Sequence, residues 1–102
     1  MVQRSEFHAM LEELLGSENV YFQPPVDLKM VYPCIRYELD DMYVEYADNL
    51  PWCSDKRYLV TIIDSDPDSA IPDKVGALPL CSFSRFYRAA GLNHFVYNLF
   101  PS

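Results

Sequence analysis

The stretch that most constrains this chain is Arg57–Leu78, RYLVTIIDSDPDSAIPDKVGAL. From Tyr58 to Ile63 every position is apolar or β-branched. That is the composition of a strand covered on both faces, because such side chains fill a pleated, buried surface. The run then breaks into Asp64-Ser65-Asp66-Pro67-Asp68-Ser69, where Asp and Ser side chains can bond nearby backbone and Pro67 fixes φ. Beyond it, Ile71, Val75 and Leu78 recur at i, i+4 and i+7, one stripe of a short helix. Pro72 fits only the first turn of such a helix, where its missing N–H costs nothing. A buried strand, an acidic turn and a short helix form the centre of the expected fold.

The flanking sequence adds elements to that centre. Phe7, Met10, Leu11, Leu14 and Leu15 recur at helical spacing, with Glu6, Glu12 and Glu13 on the opposite face, which predicts an amphipathic helix over Ser5–Leu15. Ser5 is the expected N-cap and Gly16 the expected stop. Asn19–Gln23 reads as a short strand closed by Pro24-Pro25, and Val26–Tyr32 as a loop. Cys34–Leu39 alternates, placing Ile35, Tyr37 and Leu39 on one face and Arg36 and Glu38 on the other. Asp40-Asp41 marks a turn or bulge. Tyr43–Tyr46 either extends the strand or forms its partner, and Ala47–Pro51 is expected to leave it. Leu80–Tyr87 and Asn93–Phe100 alternate around Arg88-Ala89-Ala90-Gly91, the pattern of a hairpin. The fold class expected is α+β: a mostly antiparallel sheet with the N-terminal helix and the short second helix packed on one face, in a single domain over residues 1–102.

Charge narrows the function. Fifteen acids against eight bases give a net charge of −7, with no basic run. Such a chain is poorly suited to gripping phosphates, since nucleic-acid affinity comes mostly from clustered Lys and Arg. Acidity serves solubility, or lines a channel that nucleic acid must traverse without sticking. Half of the residues are hydrophobic and eight are Tyr and six Phe, which suits an aromatic core or a protein–protein contact. A chain this short buries a modest fraction of its surface, so oligomerisation is a natural way to cover more. Cys34, Cys53 and Cys81 form no C-x-x-C pair, and neither His8 nor His94 stands at zinc-ligand spacing from them. Cys34 and Cys81, in apparent strands, read as small buried hydrophobes of a reducing compartment. The first residues lack a signal-peptide run and nothing approaches a membrane span, so a cytoplasmic origin is expected.

Catalytic patterns are hard to assemble. Asp64, Asp66 and Asp68 have the D-x-D-x-D spacing that opens a calcium loop, but Ser69 stands where that loop needs Gly and Val75 where it needs Glu. Turn-forming and capping roles fit these acids better. No G-x-S-x-G elbow, Gly-rich phosphate loop or motif around either histidine exists. No enzyme, metal or cofactor is expected.

Five phrases, NVYFQPP at 19–25, YPCIRY at 32–37, YADN at 46–49, RYLVTIIDSDPDSAIPDKV at 57–75 and CSFSRFYRAAGLNHFVYNLF at 81–100, together resemble a family of small tail-completion proteins. The family is placed with the tail terminators of long-tailed bacteriophages, siphophages or myophages, prophages included. The resemblance runs in order from Phe7 to Phe100. It implies a virion protein made in the bacterial host cytoplasm, an α+β subunit that forms a homo-oligomeric ring, commonly hexameric, on the head-proximal end of the tail. Such a ring ends polymerisation of the tail tube protein, presents a surface to the head-connector protein, and passes DNA through its lumen without specific binding. Asp48, Asp64, Asp66 and Asp68 are then candidates for loops at the ring's surface or bore. Tyr46 and Asn49 either lie at an interface or shape a bulge. A head-side adaptor or stopper is the alternative within the virion. A metal-dependent small enzyme using Asp64, Asp66 and Asp68 is the alternative outside it.

Overall fold

A computed structural model describes residues 4–25, 28–47 and 50–100, with the backbone alone over 43–47 and 50–55. Among these residues the order is α1 (Arg4–Leu15), β1 (Val20–Phe22), β2 (Cys34–Ala47), β3 (Leu50–Asp64), α2 (Ile71–Gly76), β4 (Cys81–Ala89) and β5 (Leu92–Leu99). The five strands form one sheet in the order β1-β2-β3-β5-β4. All pairs are antiparallel except β1 with β2, which is parallel. The α+β class expected from the sequence is the observed one. No helix among the described residues is long and apolar enough to cross a membrane.

Both helices pack on one face of the sheet. Phe7 and Leu11, one turn apart on α1, are fully buried with Ile35, Tyr37, Val60, Ile62, Val75 and Leu99, and Tyr58 is buried beside them. Phe7 meets Tyr37 edge-on at 5.3 Å between ring centres and Tyr58 at 5.2 Å. Burying each such side chain contributes about 1.5–3 kcal/mol relative to exposure. α1 stops at Gly16, whose φ of 77° is the left-handed conformation glycine adopts freely. The Gly16 and Ser17 amides donate to the Glu12 carbonyl at 2.9 and 3.3 Å, closing the end of the helix. The helix begins at Arg4, so Ser5 lies inside its first turn rather than at the N-cap. A difference of two residues is ordinary at a helix end.

The sheet face away from the helices carries Cys34, Thr61, Ile63 and Val96, all buried as well. Tyr58–Ile63 is thus covered on both sides, as its composition predicts, with only Leu59 half-buried. Tyr21, paired with Arg36 on this second face, accepts a hydrogen bond from the Val31 amide at 3.2 Å. That bond holds part of the connection between the parallel strands against the sheet.

Three features depart from the expected pattern. Tyr43–Tyr46 extends β2, one of the two readings its sequence allowed, but Ala47, Leu50 and Pro51, expected to leave the strand, continue the ladder, so β2 and β3 are much longer than the alternating runs. Ser84 forms a bulge: Phe83 faces Tyr97, Arg85 faces Val96, and Phe86 faces Phe95. The extra residue puts Phe83 and Phe86 on the same side of β4. The final hairpin turns on Ala90 and Gly91 alone, with φ of 53° and 75°, the two positive values a tight two-residue turn needs. Arg88 and Ala89, expected in the turn, belong to β4.

Candidate assembly interface

The sheet has two unequal parts. β1 meets β2 only over Ile35–Tyr37, and β5 meets β3 only over Tyr58–Asp64. From Asp40 to Ala47 and from Leu50 to Arg57, the two longest strands pair only with each other among the described residues. This is a two-stranded arm, and it makes the molecule long: 51 Å in its greatest dimension against 28 and 23 Å. The arm departs from the sheet at a bulge between Leu39 and Asp41. There Arg57 donates to Asp40 Oδ2 from both Nε and Nη2 at 2.7 Å, with Asp41 Oδ2 at 3.8 Å. The pair is partly exposed, so it fixes the exit of the arm more than it stabilises the fold.

β4 forms the opposite edge of the sheet, and from Ser82 to Ala89 every residue is exposed. Phe83 is 57% exposed and Phe86 48%. With Phe95 and Tyr97 they line a groove of about 450 Å³, walled by Pro72 and Asp73 at the start of α2. Burial, then Asp73 and Cys81, hold the Tyr97 hydroxyl above its usual pKa. On the other side of β4, Tyr87 stacks on His94 at 4.5 Å between ring centres, and the Arg85 guanidinium lies 5.2 Å over Tyr87. Leu80, just before the strand, is 64% exposed with φ of 57°, a conformation that costs a non-glycine residue about 1 kcal/mol or more.

The candidate residues of the acidic turn come together. Asp64 is buried at the end of β3, and its Oδ1 accepts the Asp66 amide at 3.0 Å. Asp66 Oδ1 in turn accepts the Asp68 amide at 2.9 Å. These are successive Asx turns, the side chain of each Asp closing the backbone two residues on. The Asp64 carbonyl accepts from Asn93 Nδ2 at 3.1 Å, tying the turn to β5. Asp66 and Asp68 are exposed. Among the described residues no cluster of three or more His, Cys, Asp or Glu side chains is placed to hold a metal ion.

Tyr46 does not belong to that cluster. Its backbone pairs with Pro51 in the arm, beside a register shift between Glu45 and Tyr46. Pro51 and Asp64 stand at opposite ends of β3, roughly 40 Å apart at about 3.3 Å per residue. Asp48 and Asn49 lie outside the described residues. The candidates therefore divide between two ends of the subunit. Sequence reasoning did not single out Phe83, Arg85, Phe86 and Arg88 as a surface, because plain alternation through Leu80–Tyr87 hides the Ser84 bulge. One signal was available: CSFSRFYRA holds two arginines and no acid in a chain of net charge −7.

No family model matches this sequence, and no curated protein matches it.

Proposed function

We propose that this chain is a structural virion subunit whose ring caps the head-proximal end of a phage tail tube. The ring ends tube polymerisation and offers the joining surface for the head connector. The observation that carries the reading is the pairing, in one small subunit, of an arm whose two strands pair only with each other among the described residues with an exposed aromatic edge strand. Two-stranded ribbons are at best marginally stable alone, and exposed edges invite further strands. A subunit with both is suited to contact with other subunits. The resemblance carried by the five sequence phrases supplies the tail context, and the α+β fold agrees with it. Exposed Asp66 and Asp68, with the acids of the arm, provide negative charge that repels DNA phosphates from the surface they occupy.

The test is light scattering on the purified chain, with and without tail tubes. A ring, or a monomer that binds tube ends and halts their growth, is the expected result. Protein indifferent to tubes but bound by head connectors would replace this reading with that of a head-side adaptor.

A further inference from the structure

We infer that the arm of one copy seats along β4 of a second copy, in a head-to-tail contact. The inference rests on the ring reading only in taking the partner to be another copy of this chain. Charge complementarity points to it. The arm sequence from Asp40 to Arg57 holds Asp40, Asp41, Glu45, Asp48 and Asp55 against Lys56 and Arg57, and Arg57 is already engaged by Asp40 within the subunit. β4 carries Arg85 and Arg88 with no acid, and β5 beside it has no acid either. Among the described residues β4 is thus a basic, aromatic strand edge with no acid of its own, bordered by Asp68 and Asp73 only at the groove beside Phe83 and Phe86. Unlike patches with opposite charge attract, whereas arm on arm or edge on edge brings like charges together.

Size agrees with charge. The arm runs from Asp40 to Ala47 and back, about 25 Å at roughly 3.3 Å per residue. β4 is nine residues long, about 30 Å on the same scale. Among the described residues the outer side of β4 has no strand beside it, so its backbone groups can extend pairing into a second chain. Phe83, Phe86 and Leu80 supply apolar surface on which a seated strand excludes water. Because arm and edge are different patches, each copy gives one and receives one. Such a contact closes into a ring when the rotation between copies allows it, and otherwise runs on as a filament.

Two variants test the contact in the full chain. In the first, residues 43–55 are replaced by Asn-Gly, which turns tightly between Met42 and Lys56, partners in the ladder. In the second, R85E/R88E reverses the charge of exposed β4 positions. Each variant alone is expected to stay monomeric by light scattering, with the wild-type circular dichroism spectrum. Their equimolar mixture is expected to give a 1:1 dimer and nothing larger, since one intact arm meets one intact edge. A mixture that stays monomeric, a variant that assembles alone like the wild type, or wild-type protein monomeric up to about 1 mM would overturn the inference. The function reading fails separately. Wild-type rings that ignore tube ends would remove the terminator role and leave the contact standing, while variants that still cap tubes would do the reverse.

Discussion

The base of the sheet and the arm are built from the same two strands, yet they are held in different ways. In the base, Ile35, Tyr37, Tyr58, Val60 and Ile62 are buried under α1 and α2, and Cys34, Thr61 and Ile63 are buried on the other face. β3 has hydrogen-bonded neighbours on both sides there. In the arm each strand has one neighbouring strand and no helix against it among the described residues. Backbone pairing runs through both, but the buried side chains that offset the entropy of ordering the chain are seen in the base, whereas the described arm residues Asp40, Asp41, Met42 and Lys56 are exposed. The lesson is that strand length does not report stability: β3 has fifteen residues, and the fold rests on its second half.

The largest expected effect comes from the base. Ile62→Ala removes a fully buried side chain between β2 and β5 and should cost about 2–5 kcal/mol, read as a lower urea midpoint with an unchanged slope. Next is an alkaline effect at Cys34. Burial pushes its thiol from 9.0 up to about 11. Below the lower value both states keep the proton. Between the two values the unfolded thiol ionises and the folded one does not, so stability falls, by up to about 3 kcal/mol across the window. Burial also raises Tyr37 and Tyr97, with the same sign. Comparing urea midpoints at about pH 8 and about pH 10.5, Cys34→Ala should lose less than the wild type on the alkaline side.

A smaller loss, about 1 kcal/mol, is expected for Gly91→Ala. Open space surrounds that position, so only its φ of 75° opposes a side chain; thermal unfolding measures the cost. The smallest effect sharpens the contrast most. Replacing residues 43–55 by Asn-Gly should change monomer stability by no more than about 0.5 kcal/mol. A loss as large as that of Ile62→Ala would break the distinction between arm and base.

What could be read from the sequence follows the same division. The helical stripe of Phe7 and Leu11, the buried run Tyr58–Ile63 and the faces of Phe95, Tyr97 and Leu99 were all legible, because burial imposes a period on them. The arm was not. Asp40-Asp41 and Pro51 are turn chemistry, and the backbone ladder overrides those preferences without leaving an apolar pattern. Pro51 is accommodated where the register shifts opposite Tyr46, a place where a missing N–H is tolerated. The acidic turn was legible as a turn. The β4 surface was not, since one bulged serine reverses the side on which every later residue of the strand falls.

On the proposed contact, the arm, which pairs only with itself among the described residues of one subunit, gains a neighbour from a second. Hydrogen exchange of backbone amides, in dilute and in concentrated protein, tests it most directly. In dilute protein, amides of β3 from Tyr58 to Ile63 should exchange slowly and those from Asp41 to Ala47 fast. On concentration the arm amides and those of β4 should slow together. Arm amides as slow as the base in dilute protein, or unchanged on assembly, would contradict the account.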